Sequence, residues 1–157
     1  MSVANQRLSI YLNDHLAGAA GAIELARRSR GANRDGSLGQ ALEELTRELE
    51  EDQTALQDIM AQLGVRVDHA KLAAAWVAEK LGRFKLNGSL VSYSPLSRLE
   101  ELELLVLGVE GKLLLWQALS RRNEPLTGID LDALIKRAQA QRRRLNRHRL
   151  QAAQQAL

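Results

Sequence analysis

The sequence predicts an all-α protein built as a bundle of four long amphipathic helices. Three observations carry that prediction. Apolar residues make up 45% of the chain and aromatics only 3%, so leucine and alanine must fill the core. These residues recur at spacings of three and four along four long segments, which places them on one helical face each. The only two prolines, Pro95 and Pro125, lie between those segments or at the start of one, where a helix tolerates proline. At 157 residues the chain is one domain by size and long enough for a real core, so one helical-bundle domain is expected over 1–157.

The first helix is expected over about 5–29, with Leu8, Leu12, Leu16, Ala19, Ile23 and Ala26 as its inner face. The segment from Arg30 to Gly36 reads as a turn. A second helix over about 38–63 follows a capping-box pattern of Ser37 and Gln40. Leu42, Leu45, Leu49, Leu56, Ile59, Met60 and Leu63 form its face, and Gly64 ends it. Asp68 caps a shorter helix over about 69–84, whose Ala73-Ala74-Ala75-Trp76 run suggests close packing. Asn87-Gly88 breaks it, and Leu86 to Tyr93 has no helical period.

Ser94-Pro95 announces the next long helix, about 95–121. Leu99, Leu102, Val106, Val109, Leu113 and Trp116 make one face, and Leu104, Leu107, Leu114 and Leu115 make a second. A helix apolar on two sides is expected to be covered on two sides. The crossover helix and the segment Leu90–Tyr93 are the expected cover, and a homodimer interface through helical faces is the alternative. Gly108 and Gly111 would admit close approach to the backbone. The last helix spans about 130–155, with Leu131, Leu134, Ala138, Leu145 and Ala152 inside.

Short connections after the first and third long helices make antiparallel hairpins, and the long one, Gly64 to Ser94, crosses the bundle. In helix order and connection lengths the chain resembles the ferritin-like superfamily over roughly its whole length. The resemblance implies an up-down-down-up four-helix bundle with an extra short helix in the crossover. The blocks YLNDHLAGA, AWVAEKLGRFKLNG and SPLSRLEELELLVLGVEGK resemble those of an uncharacterised bacterial family, a likeness that brings no function with it.

The absence of cysteine removes disulfides, thiolate nucleophiles and cysteine metal sites, and fits an intracellular protein. No apolar stretch follows the N-terminal residues, so no signal peptide is expected, and the uncharged runs are too short to span a bilayer. The expectation is a soluble, cytoplasmic protein that engages no membrane. The net charge of +3 is segregated: residues 133–157 carry seven Lys or Arg and no acid, leaving a net of −4 over 1–132. The second helix is acidic, with Glu43, Glu44, Glu48, Glu50, Glu51, Asp52 and Asp58 against Arg47.

Two ionisable residues stand where leucines should be. On a wheel of about 100° per residue, His15 falls between Leu12 and Ala19, and Asp52 between Leu49 and Leu56. With the hairpin turning near residues 33 and 34, positions summing to about 67 lie level, and His15 and Asp52 meet that condition. The favoured expectation is a buried His–Asp hydrogen bond that fixes helix register without metal. The alternative is a divergent metal-binding or oxidoreductase bundle, with iron, manganese or zinc on His15, Asp52, Glu103 and His148. The ferritin-like di-metal cage itself uses Glu-x-x-His, and the residues three before the histidines here are Leu12, Arg66 and Leu145.

The last helix, with Lys136, Arg137, Arg142, Arg143, Arg144, Arg147 and Arg149, suggests nucleic acid or an acidic partner, but no aromatics interleave for base stacking. A solvated face that balances the acidic second helix is the preferred reading. No Gly-rich phosphate loop follows a strand, and Ser92, Ser94 and Ser97 read as turn and cap residues. The sequence therefore points to a non-catalytic structural or interaction protein, with no cofactor.

Overall fold

A computed structural model describes residues 3–73 and 93–157 and builds them into four long helices: α1 Val3–Ala32, α2 Gly36–Gln62, α3 Pro95–Leu119 and α4 Leu131–Ala156. Residues 69–73 open a further helix, capped as expected by Asp68, whose Oδ1 accepts from the Lys71 amide at 3.0 Å. The rest of the expected crossover helix, with Ala74, Ala75 and Trp76, lies outside the described residues, as do Leu90 and Val91. No strand occurs among the described residues, and no described helix is long and apolar enough to cross a membrane.

The helix ends follow local chemistry. α1 runs three residues past its expected end, to Ala32, because Asn33 serves its last turn: its Nδ2 donates to the Ser29 carbonyl at 2.7 Å. The Ser37–Gln40 capping box does not form. Asp35 is the N-cap residue of α2, and its side chain makes no cap hydrogen bond. The turn instead folds over Gly39, where a Cβ would sit 2.4 Å from the Asn33 carbonyl oxygen and 2.5 Å from that of Arg34. At the other end of α2, Gly64 takes φ +66°, and Val65 donates to the Met60 carbonyl at 2.8 Å, a left-handed stop that glycine accepts without strain. Ser94 caps α3 through the Ser97 amide at 3.1 Å, with Pro95 following, and Asp130 caps α4 through the Ala133 amide at 2.9 Å.

Each helix packs on two others. α1 pairs with α2 and α3 with α4, while α1 also lies against α3 and α2 against α4. Contacts run antiparallel in every pair that cross-links resolve. Arg27 meets Glu50 at 2.7 Å and Arg28 meets Glu101 at 3.0 Å, while Glu48 meets Arg144 at 2.6 Å. Asn33 adds a pin at one end: Arg98 Nε donates to its Oδ1 at 2.7 Å, and its Nδ2 donates to the Tyr93 hydroxyl at 2.7 Å. This ties the first hairpin turn to the start of α3.

The core is two apolar layers. One gathers Ile23, Leu42, Leu45, Leu49, Leu102, Val109 and Leu145; the other gathers Leu12, Leu16, Leu56, Ile59, Leu113, Trp116 and Ala138. On α2, α3 and α4 the boundary between them falls at Asp52, Lys112 and Gln141. The second apolar face of α3 divides. Leu115 is buried, but Leu104, Leu107 and Leu114 stay 43%, 66% and 55% exposed. The crossover helix and the Leu90–Val91 segment expected to cover them lie, beyond residue 73, outside the described residues; α1 and α4 pack on other sides of α3.

Candidate functional site

The layer between the two apolar clusters is polar and buried. Asp52, only 2% exposed, reaches it from α2. Its Oδ1 accepts from Arg137 of α4 and its Oδ2 from Lys112 of α3, and both are ion pairs. Gln141 of α4 completes the shell: its Oε1 accepts from Lys112 Nζ at 2.5 Å, and its Nε2 donates to Glu48 at 2.9 Å and to Asp52 Oδ2 at 3.3 Å. Glu48 in turn accepts from Arg144 at 2.6 Å, and Glu51 from Arg137 at 2.8 Å. Three helices are thereby joined through one carboxylate. Removing such a group from water is costly, and three donors shared over both oxygens are what make it tolerable.

His15 is not Asp52's partner. Its ring stands edge-on to Tyr11 with centroids 4.7 Å apart, and no hydrogen bond joins it to Asp52. The physical reason is charge. A full carboxylate gains more from two cations than from an imidazole that burial keeps neutral, and desolvation lowers the His15 pKa below its ordinary value despite nearby Asp14. The register also differs from the expected one, since Asn13 of α1 donates to the Arg66 carbonyl at 3.0 Å and Arg27 pairs with Glu50. His15 thus lies nearer the far end of α2 than Asp52 does.

The other two residues of the metal reading are elsewhere. Glu103, half exposed, pairs with Arg149 at 3.5 Å. His148 sits on α4, where burial first, then Arg147 and Arg144, lower its pKa. Among the described residues no three His, Asp or Glu side chains come together as a metal would need. Of the seven basic residues in the last helix, Arg137, Arg142, Arg144 and Arg149 form ion pairs with Glu51, Glu110, Glu48 and Glu103. Lys136, Arg143 and Arg147 face outward. Four of the seven are thus engaged within the bundle, Arg137 and Arg144 with the acidic α2 and Arg142 and Arg149 with α3.

Beside the polar layer lies a cavity of about 190 Å³ that both His15 and Asp52 line. Leu49, Leu56, Leu115 and Trp116 make its apolar wall, and Lys112 and Asp52 its polar side. Burial lowers the Lys112 pKa, an effect opposed by the Asp52 carboxylate. Gly18 of α1 and Gly111 of α3 also line it, and a Cβ on either would meet nothing within 4 Å. Gly108 has only ordinary contact with the Ala22 Cβ, at 3.7 Å. The close backbone approach expected at Gly108 and Gly111 is absent. A glycine inside a helix costs about 1 kcal/mol relative to alanine. Here that cost opens space rather than admitting a neighbour.

The sequence singles out Asp52 but not Lys112, Arg137 or Gln141 as its partners. A signal existed. Lys112 falls three after Val109 and four before Trp116, and Arg137 three after Leu134 and four before Gln141, so both interrupt apolar stripes at helical spacing. Comparison with protein families, with curated proteins and with solved structures finds no match.

Proposed function

We propose that the protein is a non-catalytic helical-bundle interaction protein of ferritin-like, up-down-down-up topology, without the di-metal centre of that superfamily. The neighbour relations support the topology: antiparallel pairs α1–α2, α1–α3 and α2–α4, with α3–α4 as the second hairpin. The observation that carries the non-catalytic reading is the state of Asp52. Both oxygens of the most buried acid among the described residues are taken by Lys112 and Arg137. To ligate a metal or move a proton it would first have to shed two cations in a buried layer. The exposed leucines of α3 support the interaction half of the reading, with a second copy of the chain as partner.

Elemental analysis of protein purified without chelator tests the first half. The expectation is no stoichiometric iron, manganese or zinc; a stoichiometric metal that disappears in His15→Ala would overturn it. Sedimentation equilibrium tests the second half. A dimer that Leu107→Glu with Leu114→Glu converts to monomer is expected, and a wild-type monomer across the accessible concentration range refutes self-association.

A further inference from the structure

The cavity between α1, α2 and α3 has the volume, the lining and the leftover hydrogen-bond donors of a small-molecule site. We propose that it binds a single-ring aromatic compound carrying a hydrogen-bond acceptor, a carboxylate above all.

Size sets the first limit. A cavity of roughly 150 Å³ lined by apolar side chains is enough for benzene. The 190 Å³ here accommodates one ring and a short substituent. The wall suits a ring, with leucines and the indole of Trp116 presenting apolar surface.

Donor and acceptor matching sets the second limit. The acceptors of the polar layer are engaged: Asp52 takes Arg137 on one oxygen and Lys112 and Gln141 on the other, Gln141 Oε1 takes Lys112, and Asp14 at the rim pairs with Lys71. The donors are not. Trp116 is 1% exposed, and its Nε1 finds no acceptor among the protein atoms. An ammonium carries three N–H donors, and Lys112 spends two, on Asp52 and Gln141. Buried donors without partners are rare in folded proteins. Here the excess lies in residues that line one cavity, and a ligand acceptor relieves it. A cationic ligand meets the opposite situation, since it would bring further donors beside Lys112 and Arg137.

Third, the space is cut by the sequence rather than left by poor packing. Gly18 and Gly111 give up helix propensity on facing helices where no neighbour requires them to be glycine. Gly18 and Gly108 are exposed, so the small residues also leave a way in between α1 and α3.

Benzoate, benzylamine and benzene are the probes, each titrated against an equal concentration of sodium chloride. The Trp116 indole N–H resonance, assigned by its loss in Trp116→Phe, reports on the site. Benzoate should shift it saturably and raise the melting temperature, and benzylamine should do neither. Gly111→Leu fills the space and should weaken benzoate at least tenfold while the helical spectrum is kept. In calorimetry, Trp116→Phe should weaken benzoate by roughly tenfold and leave benzene unchanged, since it removes one charge-assisted hydrogen bond and keeps a ring. The proposal is overturned by the absence of a saturable shift and thermal stabilisation with benzoate. It is equally overturned by benzylamine binding as tightly, or by unchanged affinity in a folded Gly111→Leu. The wild-type titration decides even where a variant does not fold.

Discussion

Asp52→Asn is the most incisive perturbation of this bundle. The substitution keeps the side-chain shape, so no cavity is created and the loss it causes is electrostatic. It leaves Lys112, whose side chain is 11% exposed, with Gln141 as its remaining partner. Breaking a buried ion pair by removing one member costs about 3–5 kcal/mol, because the other charge stays buried. Two features place this case at the low end: Arg137 keeps Glu51 at 2.8 Å, and the asparagine carbonyl still accepts one hydrogen bond. The expected loss is about 3 kcal/mol, out of a total of about 5–15. At about 2–4 °C per kcal/mol for a chain of this size, the melting temperature should fall by about 6–12 °C. Urea unfolding followed by circular dichroism measures it, with an unchanged m-value as the sign that the native fold persists. Adding Lys112→Met removes the stranded ammonium, so the double variant should recover about 1–3 kcal/mol relative to additivity. The deficit of Asp52→Asn should also narrow in alkali. Burial holds the folded Lys112 pKa below the 10.5 of the free side chain, and the carboxylate that opposes this is gone in the variant. A lowered folded value means stability that is complete above 10.5 and lost as pH falls through the folded value, and the variant's folded value is lower still. A loss below about 1 kcal/mol at neutral pH, or strict additivity with Lys112→Met, refutes the reasoning.

Three further outcomes are expected. Burial lowers the pKa of both His15 and His148 below 6.5, so their contribution to stability is present above 6.5 and lost as pH falls through the folded values; unfolding free energies measured from pH 7.5 downward should therefore decline less steeply in His15→Gln/His148→Gln, and parallel profiles would contradict the assignment. Gly39→Ala should destabilise by more than about 1 kcal/mol, because its Cβ would meet backbone oxygens at 2.4 and 2.5 Å, whereas Gly18→Ala should stabilise by about 0.5–1 kcal/mol; thermal melts of the two variants check the opposite signs. Arg144→Ala, which removes a 2.6 Å pair to Glu48, should cost about 1–2 kcal/mol, while outward-facing Arg143→Ala stays within about 0.5 kcal/mol; chemical denaturation that finds the two equal would remove Arg144 from the polar layer.

The helices were legible because they are written in local signals. Leu42, Leu45, Leu49, Leu56 and Ile59 repeat at helical spacing and are all buried, and Ser94, Asp68 and Asp130 cap where their side chains predict. What failed depended on register and on third helices. Counting back from the turn levels His15 with Asp52, but α1 and α2 are staggered about that turn, with Asn13 at Arg66 and Arg27 at Glu50. Nothing in the first hairpin reveals that Asp52 meets cations from α3 and α4, because those contacts span 60 and 85 residues. Arg142 and Arg144 reach carboxylates on the adjacent helices α3 and α2, contacts that a list of basic residues along one helix does not reveal. The glycines of α3 were read as contact points because glycine in a helix most often marks one, and only the spatial surroundings separate close packing from open space.

Two departures from bundle economy meet at one level of the molecule. A carboxylate with its cations occupies a layer where leucine, methionine and alanine would pack, and replacing a buried ion pair by apolar side chains is often neutral or stabilising by about 1–4 kcal/mol. Glycines line the adjacent cavity where alanine would strengthen both helices. Elsewhere α2 keeps its apolar stripe and α3 and α4 keep their caps, the exceptions being the uncapped start of α2 and the exposed leucines of α3; breaches of such consistency gather where a protein does something besides fold. Register alone accounts for the first departure, because a buried charge accepts only one alignment of α2, α3 and α4. It does not account for the second, since a cavity specifies nothing. The two readings separate in a single variant. With Asp52→Leu and Lys112→Met together, a purely structural layer predicts a folded bundle that is as stable or more so and retains benzoate affinity at the wild-type level. A layer that also serves the cavity predicts the same stability with benzoate affinity lost, because Lys112 no longer offers its third N–H.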